Sequence, residues 1–188
     1  MGRRGRSSRE RLSRRLSYYL RHHPEELGLE LDDEGFANVS VEEIASRLGV
    51  PPEDIYEVVA RDPKGRFTIR DGKIRANFGH SVAQGKTVWE SHPPAARDEL
   101  PEYLYHGTSP GRVESILRSG LKARGRQLVH LSTSIDWAQQ VGRRHSPSPA
   151  VLEVNVDAAL RAGVKMWVAS PSTVVATEIP SHCLRRVR

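Results

Sequence analysis

The sequence has little cysteine and no long apolar segment. With Cys183 as its single cysteine among 188 residues, the chain can form neither a disulfide framework nor a zinc site built from several cysteines. Its apolar stretches are a few residues long, far short of the roughly 20 residues that a membrane-spanning helix needs. The basic N-terminus is followed by no apolar segment, so we predict no secretory signal. We therefore expect a cytoplasmic protein that is not embedded in a membrane.

Acidic residues are almost absent from the start of the chain. The whole chain carries 29 Lys and Arg against 23 Asp and Glu, and its net charge is +6. Residues 1–21 contain eight arginines and one acidic residue, so this segment accounts for all of the excess positive charge. Clustered arginine is typical of a surface that binds nucleic acid, because its planar guanidinium makes forked contacts with phosphate. A solvated basic tail explains the charge equally well, and composition alone leaves both interpretations open.

The first helix is predicted from apolar residues three and four positions apart, which form one face: Leu12, Leu16, Tyr19 and Leu20. Ser7 and Glu10 can form a capping box at its start. Pro24 disfavours helical geometry at the residue before it, so the helix should end near Arg21–His22. Its C-terminal end would then present three basic or titratable side chains together, namely Arg21, His22 and His23.

Two more helices and a hairpin are predicted in the N-terminal half. The second helix is expected over 40–49, and the third begins at 51. Alternating residues on either side of Asp71-Gly72 predict a hairpin with strands 66–70 and 73–76. Three helices followed by a two-stranded wing indicate a winged helix.

The C-terminal half is predicted to mix strands and short helices without regular alternation, which favours an α+β fold over a doubly wound sheet. Strands are expected at 103–108, 128–132, 150–156, 166–169 and 174–179, and helices near 111–119, 134–145 and 157–162. Residues 86–101 are proline-rich and lack periodicity, which predicts a linker. The expected organisation is a basic extension (1–8), an RNA-binding lobe (9–85), the linker (86–101) and a second lobe (102–188).

Several polar clusters beside glycine are candidates for function. His106-Gly107-Thr108 ends a predicted strand, where glycine would let a ligand approach the backbone while His and Thr supply donors. Arg66 opens the hairpin, and 77–81 follows it with further donors. Arg126 precedes 129–132, which contains another histidine and a serine. Each cluster taken alone has an ordinary structural explanation. No His, Cys, Asp or Glu group has metal-ligand spacing, so we expect no metal.

In their order and spacing, these segments resemble the RNA 2'-phosphotransferases, NAD-dependent enzymes that remove a 2'-phosphate from spliced tRNA. The matching segments are 16–22, 65–67, 74–81, 104–108 and 129–132. The resemblance extends from about residue 10 to 185 and omits only the arginine-rich extension. A small departure is Phe78, where the family often has Gln.

The resemblance implies a winged-helix N-terminal lobe and a C-terminal ADP-ribosyltransferase-like lobe that binds NAD, with RNA in the cleft between them. The family's catalytic quartet falls here on Arg21, His22, Arg66 and Arg126. The nucleotide-binding residues of the family match His106, Gly107, Thr108, His130 and Ser132. Contacts with RNA phosphate are expected from Arg21, His22, Arg66, His80, Ser81, Arg14 and Arg15. Val174-Val175 stand where protein-modifying relatives carry a catalytic Glu, which weakens a protein-modification hypothesis.

The implied reaction has two steps. The RNA 2'-phosphate attacks ribose C1'' of NAD and expels nicotinamide; ribose O2'' then attacks the phosphate and releases ADP-ribose 1'',2''-cyclic phosphate. His22 is the quartet member that titrates near neutrality, which suits proton transfer or donation to phosphate.

The expected partners are NAD and a 2'-phosphorylated RNA, with tRNA as the expected substrate, and the protein is expected to be a monomer. Two alternatives stay open: ADP-ribosylation of 5'-phosphorylated RNA or DNA ends, and a winged-helix nucleic-acid-binding regulator.

Overall fold

The computed structural model describes residues 3–80, 89 and 92–187, with side chains from residue 8 onward. The chain forms two compact units, Met1–His92 and Pro93–Arg188. Both units contain helices and antiparallel strands, so the fold is α+β, as the sequence predicts. No helix in the described part of the chain has the length and apolar character that crossing a bilayer requires.

The first unit consists of three helices and a β-hairpin. Its elements are α1 (Arg3–Arg21), a 3₁₀ turn (Pro24–Leu27), α2 (Val41–Leu48), α3 (Pro52–Ala60), β1 (Phe67–Arg70) and β2 (Lys73–Ala76). The apolar face predicted for α1 is buried, since Leu16 and Leu20 are at most 1% exposed. These leucines share a core with residues of α2, α3 and β2, among them Ile44, Ile55 and Ile74. The core therefore fixes the rotation of α1 about its axis.

The two ends of α1 compare differently with the prediction. The helix ends at Arg21, as predicted. It begins at Arg3, so the expected capping box at Ser7 is wrong and Ser7 lies inside the helix. Arginine has a high helix propensity, and three of the five additional residues at the start, 3–7, are arginines.

The predicted start of the second helix at Ser40 and the predicted turn at Asp71-Gly72 are confirmed. Ser40 caps α2, because its side chain accepts a hydrogen bond from the Glu43 N–H at 3.3 Å. The hairpin turns at Asp71 and Gly72, whose φ angles are 52° and 72°. Positive φ at both central residues is the type I' turn, whose twist matches that of the flanking strands. The register pairs Arg70 with Lys73.

The second unit is a six-stranded antiparallel sheet with three short helices. Its elements are β3 (Tyr103–Thr108), α4 (Val113–Ser119), β4 (Val129–Ser132), α5 (Ile135–Gly142), β5 (Ala150–Asn155), α6 (Val156–Arg161), β6 (Met166–Ser170), β7 (Thr173–Ala176) and β8 (Leu184–Arg186). The strand order is β6-β7-β4-β3-β5-β8, which places β3 between β4 and β5. The five predicted strands and three predicted helices are present, with ends shifted by a few residues. The sequence did not predict β8.

Residues 93–100, which the sequence assigns to a linker, pack on the second unit. Leu100 is 5% exposed and belongs to the core of that unit. The Ala95 N–H donates to the Met166 carbonyl at 2.8 Å. Arg97 forms an ion pair with Asp157 at 2.5 Å. These contacts attach the segment to the sheet directly before β3 begins.

Candidate active site

Arg21 is held at the end of α1 by aromatic rings. Its guanidinium carbon lies 5.1 Å from the ring centre of Phe78 and 5.8 Å from that of Phe67. A Cβ at Gly79 would lie 3.1 Å from Nη1 of Arg21, and the φ of 91° at this position also favours glycine. Cation–π attraction and this close backbone approach therefore hold the half-buried Arg21 against the segment that follows the hairpin.

His80 is a buried, neutral histidine among cationic groups. It is 6% exposed, and its pKa is lowered to about 4 by burial and by the charges of Arg21, His22 and Arg75. Its Nε2 has no hydrogen-bond partner within the described residues. At neutral pH this side chain can bind phosphate only by a hydrogen bond and not by charge. Ser81, which was also expected to contact RNA phosphate, lies outside the described residues.

Arg66 is oriented by a carboxylate that the sequence analysis did not single out. Nε of Arg66 lies 3.1 Å from both Asp62 oxygens, and Nη2 lies 2.9 Å from Oδ1. Asp62 also accepts the backbone N–H of Arg66 at 2.6 Å. Burial raises the pKa of the Asp62 carboxyl, but the hydrogen bonds and charge of Arg66 outweigh burial and leave the pKa below its usual value. In the sequence, the i,i+4 spacing of Asp62 and Arg66 was the feature that could have indicated this ion pair.

Asn77 joins the start of β1 to the end of β2. Its N–H donates to the Arg66 carbonyl and its Nδ2 to the Gly65 carbonyl, both at 2.8 Å. Its Oδ1 accepts from the Thr68 hydroxyl at 2.8 Å. Because Asn77 is buried, these bonds fix the backbone on both sides of Arg66.

The structure brings two members of the predicted quartet to one ring. The guanidinium carbon of Arg66 lies 5.9 Å from the Phe67 ring centre, the same ring that Arg21 approaches. His22 follows Arg21 directly, so three quartet members belong to the first unit. Arg126, the fourth, belongs to the second unit.

Besides Arg21, two arginines of α1 are expected to contact RNA, and their surroundings differ. Nη2 of Arg15 donates to the Leu48 carbonyl at 3.1 Å, at the C-terminal end of α2. Arg14 is 77% exposed and lies 4.0 Å from Glu10. Arg15 therefore attaches α1 to α2, whereas Arg14 presents its charge to solvent.

In the second unit, the His106 ring donates to a backbone carbonyl and offers a ligand an acceptor rather than the expected donor. Its Nδ1 lies 3.1 Å from the His130 carbonyl, and a carbonyl can only accept, so Nδ1 carries the proton. Burial lowers the pKa of His106; the bond to His130 opposes this shift, while the charges of His145 and Arg126 add to it. The ring is neutral, and its Nε2 is left as an acceptor.

Gly107 lacks a side chain because α5 crosses β3 at this point. A Cβ at Gly107 would lie 1.9 Å from the Ala138 carbonyl oxygen and 3.0 Å from the Gly142 nitrogen. Gly142 is equally constrained, because its Cβ would lie 2.7 Å from Pro149 Cβ. Helix packing thus requires a glycine at position 107, where the sequence alone suggested the approach of a ligand.

The residues matched to nucleotide binding are divided between the two faces of the sheet. Tyr105 pairs with Ser132, and side chains alternate along a strand, so His130 and Ser132 share the face of Gly107. His106 and Thr108 lie on the other face.

Arg126 precedes β4. The residue as a whole is exposed. Its guanidinium is nevertheless partly shielded from water, and this burial, together with the nearby charge of Arg144, lowers the pKa of Arg126.

Within the described residues no group of three or more His, Cys, Asp or Glu side chains could hold a metal ion.

Comparison with known proteins shows the family of this chain. Residues 7–178 match the model of the RNA 2'-phosphotransferase, Tpt1 / KptA family. The chain belongs to this family. A "Probable RNA 2'-phosphotransferase" of Acetivibrio thermocellus is 38% identical over 180 residues, which cover 93% of this chain and 95% of that protein. A protein with the same description from Thermococcus kodakarensis is 37% identical, and the match covers 94% of this chain and 96% of that protein. One from Bacillus thuringiensis is 40% identical, and the match covers 91% of this chain and 91% of that protein. The region matched by the family model includes every candidate residue named above.

Proposed function

We propose that this protein removes an internal 2'-phosphate from RNA, with tRNA as its substrate and NAD as the consumed co-substrate. Membership of the RNA 2'-phosphotransferase family supports the reaction. The observation that carries it in the structure is the arrangement of Arg21 and Arg66 beside one ring, that of Phe67. Two guanidinium groups at one ring, with neutral His80 near Arg21, favour a compact, multiply charged anion, and a phosphate monoester is such an anion.

The proposed first step uses the phosphate as nucleophile. A 2'-phosphate oxygen forms a bond to C1'' of the nicotinamide ribose while the bond to nicotinamide breaks, and nicotinamide leaves with the electron pair. Arg21 and Arg66 would hold the phosphate, because this step needs positioning more than activation.

In the proposed second step, ribose O2'' attacks phosphorus and the bond to the RNA 2'-oxygen breaks. Negative charge then grows on the phosphoryl oxygens, where Arg66 and Arg126 would stabilise it. O2'' loses its proton as it attacks, and His22 would deliver a proton to the departing RNA 2'-oxygen, since a histidine side chain titrates near neutrality. The products are RNA with a free 2'-hydroxyl and ADP-ribose 1'',2''-cyclic phosphate.

The second unit has groups that suit NAD. Nε2 of His106 is an acceptor, and a ribose hydroxyl is a donor that it could bind. Thr108, two residues further on the same face, is buried at the end of β3 and has a hydroxyl that can donate or accept. NAD supplies the electrophilic ribose carbon and a good leaving group; the protein supplies orientation.

The finer architecture belongs to the same proposal. Three helices followed by a hairpin support a winged-helix lobe for RNA. An antiparallel sheet with short helices that carries the His106-Gly107-Thr108 strand supports an ADP-ribosyltransferase-like lobe for NAD. We also propose that the protein acts as a monomer in the cytoplasm.

The test incubates the protein with NAD and an RNA that carries one internal 2'-phosphate. Mass spectrometry of the RNA and chromatography of nicotinamide should show an RNA that loses its phosphate as nicotinamide appears. The same RNA with a 2'-hydroxyl is the control and should release no nicotinamide.

Two outcomes would contradict the proposal. Persistent ADP-ribosylated RNA, or modification of a 5'-phosphorylated end instead, would identify an ADP-ribosylating enzyme that stops after the first step. RNA binding without any NAD-dependent change would identify a nucleic-acid-binding protein.

A further inference from the structure

We infer that Asp62 is a positioning residue that turns one edge of the Arg66 guanidinium toward the RNA 2'-phosphate. This inference rests on the proposed function. Asp62 has a side chain that is 2% exposed, so it meets substrate only through Arg66, which is 25% exposed.

Both oxygens of the Asp62 carboxylate are occupied, which fixes its orientation. Oδ1 accepts from the Lys64 N–H at 3.2 Å as well as from the Arg66 side chain, and Oδ2 accepts from the Arg66 N–H at 2.6 Å. Rotation of the carboxylate would break several bonds at once. The short 62–66 segment therefore holds the guanidinium in one orientation.

The geometry of arginine determines what remains for a ligand. A guanidinium has five N–H groups in one plane, and Asp62 takes those of Nε and one of Nη2. Three hydrogens remain, and two of them lie along the Nη1–Nη2 edge, which is a different edge from the one that Asp62 binds. No other hydrogen bond to this guanidinium is formed by the described residues. This edge has the spacing that a phosphate accepts through two parallel bonds.

Another i,i+4 pair in the same unit shows what a purely structural arginine does. Arg47 pairs with Glu43 at 2.5 Å and uses Nη1 to bind the carbonyls of Leu27 and Gly28 at 2.9 and 2.7 Å. The protein's own backbone thus occupies the edge of Arg47 that Arg66 leaves available. Arg66 also approaches the ring of Phe67, the next residue, and Arg21 lies beside that same ring.

The test compares Asp62→Asn with Arg66→Ala and with the double variant, and Glu43→Gln is the matched control. Fluorescence anisotropy gives the affinity of each for 2'-phosphorylated RNA and for the same RNA with a 2'-hydroxyl. Single-turnover assays with NAD give the rate, and thermal melts report folding. We expect Asp62→Asn to reduce the preference for phosphorylated RNA and to slow turnover about 10²-fold, the typical cost of a misplaced catalytic group. Affinity for unphosphorylated RNA should not change.

The double variant decides whether Asp62 acts through Arg66. If it does, Asp62→Asn adds nothing once Arg66 is alanine, and the double variant equals Arg66→Ala. Additive losses, an equal loss of affinity for both RNAs, or losses no larger than those of Glu43→Gln would overturn the inference.

A further variant covers the case in which Asp62→Asn does not fold. Asp62→Glu keeps the charge but moves the carboxylate by one methylene, and it should still lose the phosphate preference. Wild-type behaviour of Asp62→Glu would overturn the positioning role. A wild-type protein that leaves the 2'-phosphate in place would instead refute the proposed function, so the two failures are distinguishable.

Discussion

Replacement of Gly107 by alanine tests whether helix packing or a ligand requires the glycine. The added methyl would lie 1.9 Å from the Ala138 carbonyl oxygen, whereas ordinary contacts begin near 3.4 Å. Both colliding groups are backbone, so no rotamer change relieves the clash and α5 must move away from β3. Overpacking typically costs 1–3 kcal/mol. We expect the upper end, about 3 kcal/mol, because a whole helix must shift.

The expected loss is large enough to measure by thermal unfolding. For a unit of this size, about 1 kcal/mol lowers Tm by about 4–8 °C, so Gly107→Ala should lower it by roughly 12–24 °C. Two of the three tryptophans report on this unit, since Trp137 in α5 is next to Ala138 and Trp167 lies in β6, whereas Trp89 belongs to the first unit. The matched control is Gly111→Ala, where a Cβ would meet nothing within 4 Å. It should unfold like the wild type.

The same variant has a result that would refute this reasoning. If Gly107→Ala unfolds at the wild-type temperature but no longer binds NAD in a calorimetric titration, the glycine serves a ligand and α5 is not tightly constrained. If stability falls while the folded fraction still binds NAD, packing is the reason for the glycine.

Four further outcomes are expected. The pKa of His80 falls from 6.5 to about 4 on folding. The free energy of unfolding should therefore decrease by about 3 kcal/mol as the pH drops from about 6.5 to about 4. Urea titrations across this range should show a smaller decrease for His80→Gln. Arg14→Ala should flatten the salt dependence of RNA affinity at unchanged Tm, and Arg15→Ala should lower Tm; equal behaviour of the two would contradict their different surroundings. Arg126→Ala should slow the second step about 10²–10³-fold and let ADP-ribosylated RNA accumulate in a single-turnover time course, with partial rescue by lysine; parallel loss of both steps would assign it to binding. His106→Ala should weaken NAD binding in a calorimetric titration, and His106→Gln should restore part of it if an acceptor is what the site needs; unchanged NAD affinity would remove His106 from the site.

Local chemistry made much of the fold predictable. The caps at Ser40 and Gly49 and the turn at Asp71-Gly72 each depend on the conformational preference of one or two residues. The end of α1 at Arg21 follows from the proline three residues later. Such effects are read from neighbours in the chain, so no tertiary information is needed.

What the sequence could not reveal depends on partners distant in the chain. β8 has little apolar pattern, and it forms because it pairs with β5, where Arg185 binds Glu153 at 2.5 Å. The reason for Gly107 lies about thirty residues away, in α5.

The candidate site shows the same limit. Arg66 stands out beside a hairpin, whereas Asp62 resembles any acidic residue after a helix until the five hydrogen bonds that it accepts are seen. His106 illustrates a finer case, because only the carbonyl of His130 determines which ring nitrogen carries the proton.

The continuity of α1 sets a length scale for the substrate. Its 19 residues extend about 28 Å at 1.5 Å per residue, with the arginine-rich segment at one end and Arg21 at the other. A short oligonucleotide bound by its 2'-phosphate at Arg21 would end before it reached the first turns. Only a longer RNA would contact both ends of this helix, so truncated substrates should be processed without any benefit from the basic extension.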